Sequence, residues 1–207
     1  MVSSKVYDAF YRWWAPWDAV GVRSDLRSLL ASGRVTPGSH PRSIDLGCGT
    51  GAKVVHLAGE GFESWGVDFS EIAIRKAEQR SREAMTGARF VRGDLTADSI
   101  DGVEGAFDLL LDFGTLDDLR GEAQRAMIDT VDRLSRPGSV FLCFCFFGEK
   151  EDLPLFSLQA PARWMPNPTV RPGEMEAWFG DRWDVELFNP YDGDPFATYL
   201  LTKRSHP

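Results

Sequence analysis

The octapeptide Ile44-Asp45-Leu46-Gly47-Cys48-Gly49-Thr50-Gly51 sets three glycines at alternate positions between a short apolar run and a helix-like segment. Glycines in a strand-to-helix turn let the chain close tightly and let a ligand approach the backbone. The helix that follows offers free N–H groups and the positive end of its dipole. Four carboxylates accompany this loop. Asp45 precedes it, Asp68 ends the next apolar run, Asp94 follows in Gly93-Asp94-Leu95, and Asp112 closes the run after that. Ligands of open α/β sheets sit beyond the carboxyl ends of the strands, so these acids are expected along one rim. Asp68 is placed to accept hydrogen bonds from both hydroxyls of a ribose. A phosphate does not suit the rim. The P-loop pattern is absent although Lys53 follows Gly51, and Asp45 would repel a pyrophosphate and attract a cation. An adenosine carrying an ammonium and a sulfonium fits better than a dinucleotide. A plain turn, or the ordinary preference of Asp for strand ends, explains each feature singly but not all of them beside this loop.

The elements that must position these residues follow from periodicity. Val6, Phe10, Trp13 and Trp14 have helical spacing, with Pro16 as the stop. Ser24 to Ser32 reads as a second helix with Ser24 as N-cap, Leu26, Leu29 and Leu30 on one face and Gly33 closing it. From residue 42 strands and helices alternate. Strands are expected at 43–46, 64–67, 88–92, 107–111 and 139–147, and helices at 52–60, 70–85 and 122–134, the last stopped by Arg136-Pro137-Gly138. This order argues for an α/β fold, doubly wound around a mostly parallel sheet. Residues 172–179 read as a short helix. Segments 183–188 and 196–202 read as an antiparallel hairpin, because the connection between them is too short for a crossover. Residues 148–172 show no clear element, and loops of that length tend to be functional lids.

With these residues in view, the chain resembles the class I S-adenosylmethionine-dependent methyltransferases. Asp45 to Gly51 is similar to their first motif, Val67-Asp68-Phe69-Ser70 to the second and Gly93-Asp94-Leu95 to the third. The resemblance implies a Rossmann-like, seven-stranded sheet ending in the antiparallel hairpin. It implies that Gly47, Gly49 and Gly51 surround the methionine portion of the cofactor, that Asp68 holds the ribose and that Asp94 meets the adenine amino group. Asp45, Cys48, Phe69, Leu95, Asp112 and Phe113 complete the expected cofactor set. At Cys48 the backbone matters more than the thiol. The expected organisation is one domain over 1–207: a helical lid at 1–40, a cofactor-binding core at 41–147, an acceptor lid at 148–172, and a helix and hairpin at 173–207.

The stretch Pro16-Trp17-Asp18 is similar to the entry of the thiopurine, thiol and tellurite methyltransferase branch, which places an aromatic lid over the cofactor. A sulfonium is a soft cation, and an indole face attracts a cation by roughly 0.5–2 kcal/mol. Trp14 and Trp17 are therefore expected at the cofactor; packing of the first helix on the sheet is the competing role. On the acceptor side the chain reads Asp112-Phe113-Gly114-Thr115-Leu116-Asp117-Asp118, with Asp117 where related small-molecule enzymes often carry His. This argues against a His-based mechanism, and His40, His56 and His206 read as solvated or structural. Asp117 is the expected catalytic group, with Asp118 as its alternative, should the acceptor have to lose a proton. Capping of the 122–134 helix, or plain solvation, is the competing role. Tyr11, Arg163 and Trp164 are the expected substrate contacts. The lid's Phe156, Met165 and four prolines suit a small aromatic or heterocyclic acceptor, or alternatively a protein contact.

Composition sets the outer bounds. Of 207 residues, 43% are hydrophobic and 26% charged, which excludes disorder. Acidic residues outnumber basic ones 31 to 23, for a formal charge of −8, which disfavours a nucleic-acid partner. No apolar run has membrane-spanning length and no signal-peptide core is visible. Three cysteines without a C-x-x-C pair fit a reducing cytoplasm and suggest no metal. Cys143 and Cys145 share one face of an apolar strand and read as core. The expected function is S-adenosylmethionine-dependent methyl transfer to a small molecule by a monomer or homodimer. The alternative is a cofactor-binding partner or regulatory protein without transferase activity.

Overall fold

The computed structural model describes residues 4–13, 15, 18, 20–148, 169–190 and 196–205. Two helices, α1 (Ser4–Trp13) and α2 (Ser24–Ala31), precede the alternating part. That part runs β1 (Arg42–Leu46), α3 (Ala52–Gly59), β2 (Glu63–Asp68), α4 (Glu71–Glu83), β3 (Arg89–Arg92), β4 (Phe107–Phe113), α5 (Glu122–Arg133) and β5 (Ser135–Phe147). The chain closes with β6 (Thr169–Val170), α6 (Glu174–Phe179), β7 (Trp183–Pro190) and β8 (Phe196–Lys203). One 3-10 turn, Leu116–Asp118, sits between β4 and α5.

The sheet order is β3-β2-β1-β4-β5-β8-β7. Strands β1 to β5 pair in parallel, and β8 runs antiparallel between β5 and β7. The strand order reverses between β1 and β4, which opens a crevice at their carboxyl ends. The seven expected strands form this path. An eighth, the two-residue β6, pairs with Phe146 and Phe147 of β5, so the 148–172 span is not wholly without an element. Residues 149–168 of that span lie outside the described residues.

Period-two alternation divides the core. In β4, Leu109 and Leu111 face Leu26, Leu29 and Leu57 on one side, while Leu110 joins Ile44, Phe141 and Trp183 on the other. Cys143 and Cys145 belong to the second cluster, as their spacing predicts, and are free thiols. At the hairpin end, Trp183 donates from Nε1 to Asp132 Oδ1 at 2.7 Å.

Two local expectations are corrected. Strand β5 begins at Ser135, not after Gly138: its register against β4 jumps from Phe107–Ser135 to Leu109–Val140. The residues between form a bulge closed by Ser139, which accepts from Arg136 N–H and donates to Phe107 O. Helix α2 has Arg23 at its N-cap with no side-chain cap, and Ser24 is its first residue. Helix α1 does not bury the apolar stripe that its spacing marks out. Val6, Phe10 and Trp13 point outward, Trp13 being 83% exposed, and Tyr11 is buried instead. Polar anchoring accounts for this facing. Asp8 accepts from Ser70 Oγ at 2.5 Å and from Ile72 N–H at 3.3 Å, and Lys76 Nζ donates to Tyr11 O at 2.6 Å. These bonds fix the Tyr7, Asp8 and Tyr11 side of α1 against α4 and the sheet rim.

Candidate active site

The glycine loop connects β1 to α3 with Gly47 at φ +80° and Gly51 at φ +77°, left-handed values that side chains rarely adopt. Both are also closed sterically. A Cβ on Gly47 would lie 2.0 Å from Thr115 Oγ1, and one on Gly51 would strike Phe90 and Ala77. The N–H groups of Gly47 and Cys48 donate to Val67 O at 2.8 and 2.9 Å, which pins the loop to β2. The Cys48 side chain is buried against Gly66, so this residue presents only its backbone to the crevice. Burial pushes its thiol pKa well up.

The four rim acids take four different positions. Asp68 is the last residue of β2 and accepts from Gly49 N–H at 3.0 Å and Ser70 N–H at 2.8 Å, bracing the loop from below. Burial raises its pKa to about 6 against the pull of these two donors. Asp45 is not at the strand end but one residue inside β1, wholly buried. Among the described residues its oxygens receive no well-formed hydrogen bond, and the Lys53 ammonium stands 3.3 Å from Oδ2. Desolvation raises the Asp45 pKa, opposed by Lys53. Asp112 turns inward and accepts from Thr115 N–H and Leu116 N–H at 2.9 and 2.8 Å, which builds the turn after β4. Burial brings its pKa to about 7. Asp94 is exposed and folds back on Thr96 N–H and Oγ1. The rim therefore contains one brace, one buried carboxyl beside a lysine, one turn-former and one solvent-exposed acid. Leu95 packs into the core.

Asp117 is 1% exposed; its Oδ2 accepts from Phe146 N–H at 2.8 Å and its buried Oδ1 has no hydrogen-bond partner among the described residues. Burial, then the charges of Asp118 and Asp112, push its pKa well up. The expected competing role, capping of α5, does not occur: Gly121 is the N-cap and no side chain caps that end. Asp117 instead ties the turn after β4 to β5. Asp118 is half-buried and accepts from Tyr7 Oη at 2.9 Å.

The crevice is roofed from the N-terminal side. Tyr11, Asp18, Arg23, Gly49, Lys53 and Phe113 line a cavity of about 80 Å³. Tyr11 Oη would lie 2.9 Å from a Cβ on Gly49, so its ring covers the glycine loop. Thr50 Oγ1 donates to Asp18 Oδ1 at 2.5 Å. Phe113 stacks on Phe144, and Lys53 Nζ is 5.0 Å from the Phe113 ring. Phe69 is half-buried with its ring 5.1 Å from Tyr7. Trp14, Trp17, Arg163 and Trp164 lie outside the described residues. Reasoning from the sequence missed Tyr7, Arg23, the bond of Asp18 to Thr50 and the pairing role of Lys53. The i,i+4 pair Tyr7 and Tyr11 carried a signal that a purely apolar reading of α1 passed over.

The residues fit an adenosyl sulfonium cofactor. The loop leaves no room for side chains, a carboxylate with oxygens free of hydrogen bonds lies under it, and a second carboxylate ends the neighbouring strand. Among the described residues no cluster of His, Cys, Asp or Glu could hold a metal ion, and no helix is long and apolar enough to cross a membrane.

Comparisons with known proteins agree with this geometry. A methyltransferase-domain family model matches residues 38–172. The ubiquinone biosynthesis O-methyltransferase of Methylococcus capsulatus is 25% identical over 183 residues, covering 83% of this chain and 75% of that protein. A TehB-like S-adenosylmethionine-dependent methyltransferase from Corynebacterium glutamicum superposes with a TM-score of 0.65 at 22% identity, covering 97% of this chain and 98% of the other. The magnesium protoporphyrin IX methyltransferase of Synechocystis, solved with bound S-adenosylhomocysteine, gives a TM-score of 0.68 at 16% identity, covering 97% and 99%. The chain belongs to the methyltransferase-domain family and is an S-adenosylmethionine-dependent methyltransferase.

Proposed function

We propose that this enzyme methylates a small molecule held over the β1–β4 crevice, between the N-terminal segment and the chain after β5. The observation that carries the reading is the glycine-lined crevice with Asp45 beneath it, a buried carboxylate whose one close cation among the described residues is Lys53. When bound, S-adenosylmethionine supplies an electrophilic methyl group on a sulfonium. The chain's own residues bind, orient and dehydrate. The backbone of Gly47, Cys48, Gly49 and Gly51 wraps the methionine portion, and Asp45 opposes its ammonium. Asp68 takes the ribose hydroxyls on its remaining lone pairs. Phe69 and Leu95 flank the adenine, Asp94 meets its amino group, and Phe113 offers a ring beside the sulfonium. Asp112 supports the site through the turn it builds. Trp14 and Trp17 close the site, and Tyr11, Arg163 and Trp164 contact the acceptor. In-line displacement draws most of its acceleration from alignment and exclusion of water.

A small acceptor suits the 25%-identical relative, an O-methyltransferase of ubiquinone biosynthesis. Of the two acids after β4, the half-buried Asp118 suits proton transfer better than Asp117, whose position suits holding β5. Three buried free thiols are in keeping with a cytoplasmic enzyme, acting as a monomer or homodimer. A cavity of about 80 Å³ is smaller than the several hundred typical of ligand sites, so binding entails displacement of Tyr11 from the loop. Incubation with thiols, phenols and heterocyclic amines, read as S-adenosylhomocysteine release, tests the proposal. Release with at least one class is expected. Tight cofactor binding with silence across all classes would return the chain to a binding role.

A further inference from the structure

Tyr7 joins the two sides of the crevice. Its ring rests against Phe69, the residue after β2, and its hydroxyl donates to Asp118 Oδ2 in the turn after β4. Strands β2 and β4 flank β1 in the sheet. The side chain therefore passes over the end of β1 and its glycine loop, at the reversal of strand order where a ligand of this fold reacts. The contact links residues 111 positions apart.

We propose that Tyr7 and Asp118 form a proton relay in which Tyr7 is the catalytic residue that meets the acceptor, and that the acceptor is accordingly a hydroxyl compound of the phenol class. The inference rests on the methyltransferase reading above. A thiolate or a neutral amine is nucleophilic without help, whereas a phenol reacts well only as its O–H proton leaves. In the relay the acceptor O–H bond breaks as its proton passes to Tyr7 Oη. The Tyr7 proton passes to Asp118, and the acceptor oxygen forms its bond to the methyl group. The methyl comes from the cofactor sulfonium, which is left as a neutral thioether. The charges balance: one cation is lost and one carboxylate is neutralised.

The surroundings suit this task. Tyr7 faces Asp118 and Asp117 from the turn after β4 and Asp68 from β2, while Arg120 faces Asp118. Burial and these acids raise the Tyr7 pKa, so the phenol stays protonated until it receives a second proton. Burial also raises Asp118, making it a stronger base than an exposed carboxylate. Phe113, which ends β4 five residues before Asp118 and lines the cavity beside the glycine loop, adds an aromatic ring on the β4 side of the crevice.

The test uses 4-nitrophenol with S-adenosylhomocysteine, at a pH where the free probe is protonated. Nitrophenolate absorption on binding to the wild type, and its loss in Tyr7→Phe and Asp118→Asn, is expected. In turnover with S-adenosylmethionine, Tyr7→Phe should slow phenol methylation by about a hundredfold or more and thiophenol methylation far less. S-Adenosylhomocysteine affinity should stay within about threefold, since the variant keeps the ring against Phe69. Unchanged absorption in both variants, equal losses with both acceptors, or a wild type that fails to bind 4-nitrophenol would overturn the relay. Failure of the wild type to bind S-adenosylhomocysteine would instead overturn the methyltransferase reading.

Discussion

Gly47→Ala should strongly destabilise the protein and empty the cofactor site, for two separable reasons. The residue sits at φ +80°, and an L side chain in the left-handed region costs about 1–2 kcal/mol. The new methyl carbon would also lie 2.0 Å from Thr115 Oγ1 and 3.1 Å from its Cβ. Thr115 cannot withdraw freely, because its Oγ1 donates to Leu46 O and its N–H donates to Asp112. Relief of such overpacking costs about 1–3 kcal/mol. The sum, about 2–5 kcal/mol, is large beside the ~5–15 kcal/mol of a typical domain. Urea unfolding of the wild type, Gly47→Ala, Thr115→Ala and the double variant separates the two parts. The double variant should recover roughly the overpacking part, ~1–3 kcal/mol, relative to additivity, and keep the backbone cost. A Gly47→Ala protein within about 0.5 kcal/mol of wild type, or strict additivity in the cycle, would refute the steric account of the loop.

Other consequences are open to equally direct measurement. Cofactor affinity should fall as pH drops through about 6, because Asp68 then gains a proton and can no longer accept from both ribose hydroxyls; the dependence should vanish in Asp68→Asn, and a flat wild-type profile would contradict the assignment. Asp8→Ala should cost about 1 kcal/mol by removing the bonds to Ser70 and Ile72. The Asp8 pKa is lowered, chiefly by its Ser70 hydrogen bond, so this contribution is present above pH ~4 and lost as pH falls through the depressed value; chemical denaturation of both proteins at pH 7 and near pH 3 reads the difference. Cys48, Cys143 and Cys145 are buried with thiol pKa values pushed well up by desolvation; a thiol reagent should label all three only after unfolding, and fast labelling of the native enzyme would contradict that packing.

The alternation of strands and helices from Arg42 onward was legible because each element carries its own period and its own stop, and the fold follows from their order. The rim was legible only roughly in position, since Asp45 and Asp112 each lie one residue inside their strands, and not in role. Spacing places Asp45, Asp68, Asp94 and Asp112 at strand ends, yet only three-dimensional pairing decides that Asp112 turns under Thr115 and that Asp45 meets Lys53. The facing of helix α1 was not legible, for a related reason. Its apolar stripe of Val6, Phe10 and Trp13 implies an inward face, but Asp8 and the Tyr11 carbonyl are held by Ser70 and Lys76 of a distant helix. Contacts between residues more than 60 positions apart leave no local pattern, so Tyr7 and its bond to Asp118 could not be read from spacing alone.

The assignment of the β1–β4 crevice as an S-adenosylmethionine site meets its most direct test in isothermal calorimetry of the wild type and Asp68→Ala with S-adenosylmethionine and S-adenosylhomocysteine. Both ligands should bind the wild type at a single site. Asp68→Ala should weaken each by about tenfold or more, the loss expected when charge-assisted hydrogen bonds of about 1.5–3 kcal/mol are removed. No heat with either ligand, or equal affinity for the two proteins, would contradict it.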